Sequence, residues 1–371
     1  MKLSKSILGN KEAEAVSNII LNDGYLGMGA EVGKFESEIS KFIGVSESHV
    51  VCVNTGTSAL HLAIAAILEN GDEILVPSFT FLASYQAISA SGAIPISCDV
   101  YEETFTINLE DAQSRITKNT KAIMFVHFAS NPAYIEQLYV FAKNNNLRVI
   151  EDAAHAFGCT YKGDKIGSFG DIICFSFDGI KNITSGEGGA IITKDESVLS
   201  IVKDARLLGI EKDSEKRYLG SRSWDFDVKR IGFRYHMSNI FASIGRVQLQ
   251  RLDSEFGPKR IELYNKYEEL LKNNSYILFP VKEKHSHVIP HICTIRVLEN
   301  KRDGLKSELE SNEIPTGIHY KPNHLLSFYK TNYRLPVTEK LYNEIITLPL
   351  HPDLQLAEVE FICSIINKFL K

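Results

Sequence analysis

Short apolar runs alternate with helical patterns between residues 49 and 193, and this alternation limits the folds open to the chain. The apolar runs lie at 49–53, 73–76, 94–98, 122–125, 148–150, 172–177 and 190–193. Helical patterns lie between several of them, for example at 58–69 and 135–145, and another covers the stretch around 30–44. Strand–helix alternation of this length predicts an α/β fold with a mostly parallel central sheet covered on both faces. Because such sheets bind ligands beyond the carboxyl ends of their strands, the strand-to-helix turns are the candidate functional sites.

The pattern changes after about residue 250. A long charged helix is predicted over 237–272, followed by one apolar run at 291–297 and two more helices at about 301–312 and 355–370. This part indicates a smaller α/β domain that packs on the first through the long helix. We therefore predict a large domain at 1–250 and a small C-terminal domain at 251–371. A chain of 371 residues, 44% of them hydrophobic, can bury a core in each.

Charge and cysteine usage exclude several classes of protein. The formal net charge is -5 and there is no long Lys/Arg run, which argues against a nucleic-acid partner. The N-terminus has no apolar core of a signal peptide, and no stretch is long enough to span a bilayer, so we expect a cytoplasmic protein without a membrane partner. The six cysteines are scattered without a CxxC pair, which is typical of reduced core thiols rather than disulfides or a zinc site.

Two turns follow predicted strands and carry polar groups. The stretch 54–58 includes Gly56, Thr57 and Ser58 and opens a helix, where free backbone N–H groups favour phosphate binding. The alternative is an ordinary helix cap. The run Glu151-Asp152 ends another strand, where a carboxylate can face a ligand crevice and pair with a protonated ring nitrogen. Its alternative is again a cap for the next helix.

The densest motif is the stretch 175–189, in which a buried strand breaks into a loop with one lysine and a glycine-rich return. Lys181 lies beside the apolar strand end, where an amine loses its proton more easily than in water and becomes a nucleophile. A lone loop lysine is usually only solvated, but the flanking glycines and Ser176 weaken that alternative. A fourth motif, at 232–239, precedes the long helix and could cap it or reach a neighbouring subunit.

Together these stretches resemble the DegT/DnrJ/EryC1/StrS family of nucleotide-sugar aminotransferases, which depend on pyridoxal 5'-phosphate (PLP). The most specific parts are the EDAAHA run at 151–156 and the FSF…K…GEGG pattern at 175–189. The resemblance covers nearly the whole chain and implies the aspartate-aminotransferase-like fold (PLP fold type I).

The resemblance implies three catalytic residues. Lys181 would hold the cofactor as a Schiff base and then carry a proton between cofactor and sugar. Asp152 would pair with the pyridinium nitrogen and keep the ring an electron sink. His155 would lie beside the ring near its phenolic oxygen, although it could instead fill a polar slot.

The resemblance also implies a set of cofactor-binding residues. Phe81 would stack on one face of the ring, unless it is plain core. The phosphate would be held by Ser176, Gly56, Thr57 and Ser58. Arg234 stands where the family usually has an asparagine that reaches a neighbouring subunit's cofactor phosphate, and His236 stands where it has an arginine. The loop 127–131 also departs from the family pattern, and we expect it to border the substrate.

The implied reaction moves an amino group from glutamate to a nucleotide-linked keto-6-deoxyhexose, with a 4-keto sugar slightly favoured over a 3-keto sugar. Its product would serve a surface polysaccharide or another glycosylated product. A homodimer with shared active sites is expected. The expected substrate-binding residues are Tyr25, His319, Tyr320, Lys321 and His324. The candidates for binding the donor carboxylate are Arg206, Arg222, Arg230 and Arg234.

Three alternatives to an aminotransferase remain open. A sugar dehydratase of the same family would use the same cofactor, but that branch has a histidine in place of the lysine, so Lys181 argues against it. A non-catalytic ligand-binding relative would not need Lys181 and Asp152. A metal protein could use His285, His287 and His291, but 288–297 is typical of a strand, and we predict no metal site.

Overall fold

The structure of the protein is a computed structural model that describes residues 1–221 and 224–371. The strands in chain order are β1 (Val50–Val53), β2 (Glu73–Pro77), β3 (Ile94–Cys98), β4 (Thr120–Val126), β5 (Arg148–Asp152), β6 (Thr160–Tyr161), β7 (Asp164–Lys165), β8 (Ile172–Ser176), β9 (Gly189–Thr193), β10 (Ile277–Leu278), β11 (Ser286–His287), β12 (Cys293–Val297) and β13 (Ile345–Leu348). The α-helices are α1 (Asn10–Asn18), α2 (Ala30–Ile43), α3 (Gly56–Ala65), α4 (Leu82–Ala90), α5 (Leu109–Ser114), α6 (Ile135–Asn144), α7 (Glu196–Ala205), α8 (Asp213–Tyr218), α9 (Asn239–Arg251), α10 (Gly257–Leu271), α11 (Arg302–Ser311), α12 (Pro336–Glu344) and α13 (Leu356–Phe369).

Seven strands form the central sheet, in the order β1-β9-β8-β5-β4-β2-β3. Strands β3, β2, β4, β5 and β8 pair in parallel, whereas β9 runs antiparallel to both β8 and β1. The two reversals cancel, so β1 points the same way as β8. The prediction of a mostly parallel α/β sheet is therefore confirmed, and all seven apolar runs form its strands.

Apolar side chains cover the central sheet on both faces. In β1, Val50 and Cys52 belong to one buried cluster, while Val51 and Val53 belong to another. Successive side chains of a strand point to opposite faces, so these clusters lie on the two sides of the sheet. This double burial explains why the strands appear in the sequence as continuous apolar runs rather than alternating ones.

The helix predicted over 237–272 is interrupted. Helix α9 begins after Ser238, whose hydroxyl accepts a hydrogen bond from the amide of Phe241 (3.2 Å). A π-helical segment, Leu252–Phe256, then separates α9 from α10. Pro258 stands in the first turn of α10. It has no amide hydrogen and its ring crowds the carbonyl four residues earlier, so regular helical bonding cannot pass through it.

The chain after α10 forms a second sheet, β10-β12-β13, with antiparallel pairing. Its strand β12 and helices α11 and α13 match the predicted elements, while β13 and α12 were not predicted. The division into 1–250 and 251–371 stays a prediction. A third, small sheet joins β11 to β6 and β7, so residues beyond 250 also pair with the first part of the chain.

The sequence argued against disulfide bonds and against membrane-spanning segments, and the cysteines and helices of the structure can be compared with both expectations. All six cysteines are buried and unpaired. Of the helices in the ranges 1–221 and 224–371, none combines the length and apolar character needed to cross a membrane.

Candidate active site

A cavity of about 380 Å³ opens at the carboxyl ends of β1, β5 and β8. Elements from both ends of the chain contribute to it, because α3, the loop after β8 and the stretches before β12 and after α11 all reach this edge. Its lining includes most of the predicted site residues, namely Gly56, Thr57, Phe81, Asp152, His155, Ser176, Lys181, His319 and Tyr320.

Lys181 lies in a turn that follows β8. Its amide donates to the carbonyl of Asp178 (3.1 Å), which closes the turn. The side chain faces the cavity but is otherwise surrounded by protein, and this burial lowers the pKa of its amine to about 8 against the opposing charges of Asp152 and Asp178. More of the amine is therefore uncharged near neutral pH than in an exposed lysine. The uncharged amine is the form that attacks an aldehyde.

Asp152 is the last residue of β5 and is buried. Its Oδ2 accepts a hydrogen bond from the Ser84 hydroxyl (2.7 Å), and its Oδ1 accepts one from the amide of Ala154 (3.2 Å). Burial raises the pKa of this carboxyl, while the two hydrogen bonds and the charge of Lys181 act in the opposite direction. A carboxylate in such a setting is stabilised by a cationic partner, such as a protonated ring nitrogen.

His155 connects the two ends of the chain. Its Nε2 lies 3.1 Å from the Tyr320 hydroxyl, and its ring lies 4.4 Å from that of His291, measured between centroids. Burial, with the nearby Lys181 charge, lowers the pKa of His155 well below its usual value, so the ring is neutral. His155 lines the cavity, and its role beside the cofactor ring stays a prediction.

The turn between β1 and α3 forms a cradle. Thr55 caps α3 by accepting from the amide of Ser58 (3.0 Å). A Cβ at Gly56 would come within 2.7 Å of the Ser176 Cβ, so only glycine fits there. The α3 N-terminus and the Ser176 hydroxyl thus face the same space, which suits a phosphate. Ser58 does not line it, because its hydroxyl donates to the Asn54 side chain (2.7 Å).

Aromatic residues form the open side of the cavity. Phe81 is 57% exposed and its ring lies 5.4 Å from that of Tyr320. The interpretation of Phe81 as plain core is therefore wrong. His319 lines the cavity and its Nδ1 lies 2.8 Å from the Thr347 hydroxyl. Burial and the nearby Lys181 charge lower the pKa of His319 to about 4.

Besides Ser58, four other predicted site residues lie outside the cavity of this chain. His324 is buried against Ser78, whose hydroxyl lies 2.7 Å from its Nδ1. This contact is with the core and turns the ring away from the site. Lys321 and Arg234 are exposed, and Tyr25 is half-buried beside α9, where its carbonyl accepts from the side-chain amide of Asn239 (3.0 Å).

The loop 127–131 does not line the cavity either. His127 is fully buried, with its Nε2 2.8 Å from the Glu151 carboxylate. The Ser130 hydroxyl donates to the carbonyl of His155 and accepts from the amide of His291 (3.2 Å). The loop therefore supports the two histidines from behind. That the loop borders the substrate stays a prediction.

Three of the four candidates for binding a donor carboxylate, Arg206, Arg230 and Arg234, do not line the cavity. Arg206 is fully buried and donates to Glu36 (2.7 Å) and to the carbonyl of Cys52 (2.6 Å), so its guanidinium is already paired. Arg230 and Arg234 are not part of the lining. Arg222 lies outside the described residues.

Sequence analysis missed two residues, one that lines the cavity and one that supports it from outside. His291 was weighed only as a metal ligand with His285 and His287. The structure separates it from those exposed residues and places its Nε2 3.4 Å from the Lys181 amine. Ser84 was not considered at all, because its bond to Asp152 joins residues 68 positions apart in the chain. Among the residues that the structure describes, no three side chains are grouped to hold a metal ion.

The residues of the cavity fit PLP. Lys181 supplies an amine for its aldehyde, Asp152 an acid for its ring nitrogen, and Phe81 a face for the ring. The Gly56–Ser176 cradle, which a Cβ would fill, has room for its phosphate. All four groups face one cavity at the strand edge where α/β proteins bind ligands.

Comparison with known proteins agrees with this geometry. The sequence pattern of the DegT/DnrJ/EryC1/StrS aminotransferase family matches residues 7–367. GDP-perosamine synthase of Escherichia coli O157:H7 is 35% identical over 370 residues, which cover 98% of this chain and 96% of that protein. The dTDP-4-dehydro-2,3,6-trideoxy-D-glucose 4-aminotransferase of Saccharopolyspora spinosa is 32% identical over 372 residues, with 99% and 96% covered. Spr1654 of Streptococcus pneumoniae, solved in its PLP form, matches the whole chain over its full length with a TM-score of 0.89 at 27% identity.

Proposed function

Because the chain belongs to the DegT/DnrJ/EryC1/StrS aminotransferase family of PLP-dependent enzymes, we propose that it transfers the amino group of glutamate to a nucleotide-linked 4-keto-6-deoxyhexose. Its fold is the aspartate-aminotransferase-like fold, PLP fold type I, as the resemblance implied. The observation that carries the proposal is the Lys181 amine facing the same cavity as the buried Asp152. The preference for carbon 4 is supported by the 4-aminotransferase from Saccharopolyspora spinosa.

The residues of this chain divide the work of the reaction. Bound PLP supplies an electron sink for the carbon that gains or loses a proton. The Lys181 amine first anchors the cofactor and, once substrate displaces it, accepts and returns that proton. Asp152 holds the proton on the ring nitrogen. The neutral His155 and the Tyr320 hydroxyl form a hydrogen-bonded pair in the same cavity, and this pair can orient the cofactor ring.

A dehydratase is the closest alternative, and Lys181 disfavours it. That branch of the family avoids a permanent covalent link and has a histidine at the lysine position, as the family pattern implies. In this chain Nζ of Lys181 lies in the cavity with a lowered pKa, which suits the return of the cofactor to the lysine after each half-reaction. A non-catalytic relative would not need this arrangement.

We further propose a homodimer that completes each site with residues of the second copy. Arg234 and Tyr25, which the family resemblance connects with the site, lie outside the cavity of their own chain. Three large apolar side chains in the stretch before Arg234 are more than four-fifths exposed, namely Leu219, Trp224 and Ile231. Exposed apolar side chains this large are typical of a surface that a partner covers.

The cell compartment and pathway belong to the same proposal. Six free, buried cysteines are typical of proteins from a reducing compartment, which supports the cytoplasm. An amino sugar made from a nucleotide sugar is a building block for a surface polysaccharide or another glycosylated product.

The experiment that tests the proposal starts with the PLP-loaded protein and glutamate. The absorbance of the cofactor should change as it accepts the amino group, and a panel of 3-keto and 4-keto nucleotide sugars should then reverse the change. Mass spectrometry and NMR of the product identify the carbon and the sugar. We expect a 4-amino product, and Lys181→Ala as control should give none while remaining folded. If no keto-sugar reverses the absorbance change, the proposed function is wrong.

A further inference from the structure

We propose that Ser84 is a positioning residue whose hydroxyl orients Asp152 and keeps it ionised in its buried place. The inference rests on the proposed function, because the ionised carboxylate matters only if it faces a protonated ring nitrogen. Ser84 touches neither the cofactor site nor the substrate. It would act through Asp152 alone.

The geometry of Ser84 fixes one oxygen of the carboxylate. Ser84 lies in α4, is fully buried, and donates its hydroxyl hydrogen to Oδ2 of Asp152 at 2.7 Å. The other oxygen, Oδ1, is held by the amide of Ala154 at 3.2 Å. One oxygen is thus bonded to α4 and the other to the turn after β5, and both bonds hold the carboxylate in its orientation. Each oxygen still has a lone pair for a further donor.

The Ser84–Asp152 bond determines the direction of a second hydroxyl contact. Thr80 is buried, and its hydroxyl lies 3.0 Å from that of Ser84. Because Ser84 gives its only hydrogen to Asp152, it can receive one from Thr80. The three side chains then form a chain of donors that ends on the carboxylate, and each bond polarises the next. Such a chain favours a negative charge at its end.

The charge needs this support because the surroundings disfavour it. Burial raises the pKa of the Asp152 carboxyl, and the Ser84 hydrogen bond is the largest of the opposing effects. A donor to the charged form stabilises that form. Without the hydroxyl, the carboxylate becomes more basic. In the loaded enzyme the proton shared with the ring nitrogen would then move toward Asp152, and the ring would lose part of its pull on electrons.

The test is the variant Ser84→Ala loaded with PLP that carries ¹⁵N in its ring. The ¹⁵N chemical shift reports whether the ring nitrogen holds a proton and requires no sugar substrate. In the unchanged enzyme we expect the value of a protonated nitrogen. In Ser84→Ala we expect a clear move toward the unprotonated value at neutral pH, and a glutamate half-reaction slower by about ten- to a hundredfold. Ser84→Thr, which keeps the hydroxyl, should restore both.

Ser97→Ala is the matched control. Ser97 is equally buried, and its hydroxyl accepts from Tyr85, the neighbour of Ser84 in α4, at 2.8 Å. This variant loses a buried hydrogen bond without touching Asp152, so its ¹⁵N shift should not move. If Ser84→Ala leaves the shift unchanged, or if both variants move it equally, the positioning role is wrong.

A cofactor-free measurement covers the case in which Ser84→Ala loads poorly. The carboxyl of Asp152 in the protein without PLP can be titrated by infrared difference spectroscopy, with Asp152→Asn to assign the band. We expect the titration midpoint to rise by about one pH unit in Ser84→Ala and to stay in place in Ser97→Ala. An unmoved midpoint contradicts the inference. If instead the unchanged protein fails to bind PLP at all, it is the proposed function that fails.

Discussion

At the scale of single residues, the site combines groups whose charge states are set by burial. The Lys181 amine and the Asp152 carboxyl are both enclosed. Burial lowers the pKa of the amine and raises the pKa of the carboxyl, so it favours the neutral form of each. For the lysine this produces a nucleophile. For the aspartate it is a cost, which the Ser84 hydroxyl offsets. The same physical effect therefore serves one group and must be opposed at the other.

The buried amine should destabilise the protein without cofactor, and Lys181→Met should relieve this. Burial lowers the pKa of Lys181 to about 8, whereas its ordinary value is 10.5. At pH 7 the folded protein bears the full cost of a buried charge. Between pH 8 and 10.5 the unfolded state binds more protons than the folded state, so the free energy of unfolding of the unchanged protein rises with pH. We expect Lys181→Met to unfold at a higher urea concentration at pH 7, with the advantage nearly gone at pH 10.5.

Lys321→Met is the control for that measurement. Lys321 is exposed and lies outside the cavity, so its replacement should change the free energy of unfolding by less than about 0.5 kcal/mol at either pH. A Lys181→Met protein that is equally or less stable than the unchanged protein at pH 7 would contradict the account of the buried amine.

At the scale of elements, the turn between β1 and α3 is the part of the site with the least tolerance. Gly56→Ala would place a Cβ 2.7 Å from the Ser176 Cβ, which is too close for any unshifted contact. The turn or Ser176 must move, and the phosphate cradle changes shape. We expect PLP affinity to fall by about tenfold or more in an equilibrium titration, since a loss of 1.4 kcal/mol is a factor of ten.

Gly33→Ala is the matched control for the cradle. Gly33 lies within α2, and its Cβ would meet Tyr218 at 3.5 Å, which is ordinary contact. Alanine is a better helix former than glycine, so this variant should be as stable as the unchanged protein or slightly more so. Equal PLP affinity in Gly56→Ala and the unchanged protein would show that the cradle is not the phosphate site.

The elements also show how far the sequence can predict this molecule. The strands were predictable because double burial makes them apolar throughout, and the Lys181 and Asp152 motifs were placed at the correct sheet edge because they follow such strands. The direction of a side chain was not predictable. Ser58 and His324 stand in the expected stretches, but each is oriented by its hydrogen-bonding partner. The partner of Ser58 is the nearby Asn54, and that of His324 is Ser78, 246 positions away in the chain.

Contacts between distant parts of the chain were also beyond the sequence. His291 enters the cavity from the stretch before β12, and the Ser130 hydroxyl and the Arg260 guanidinium hold its backbone. These contacts cannot be predicted from the spacing of residues in the sequence. The break of the long helix before Pro258 follows from proline chemistry, and a stricter use of that residue would have predicted it.

At the scale of the whole molecule, the cavity joins both ends of the chain, and we propose that residues of a second copy complete it. His155 and Tyr320 meet across 165 positions, so the two parts of the chain must be folded together before the site exists. No arginine among the described residues lines the cavity, although the proposed substrates carry carboxylate and phosphate groups. A second copy can supply one. Our candidate is Arg234, which is exposed and follows the exposed apolar side chains of Leu219, Trp224 and Ile231 in the chain.

Mixing two inactive variants tests this directly. We expect Lys181→Ala to be inactive and Arg234→Ala to be much weakened, each alone. In a mixed dimer, the site that keeps Lys181 would receive Arg234 from the other copy and would be complete. After unfolding and refolding the two variants together in equal amounts, half of the dimers should be mixed with one complete site each, which gives about a quarter of the unchanged activity. If Arg234 instead served its own chain, every site would lack one residue, and mixing would restore nothing.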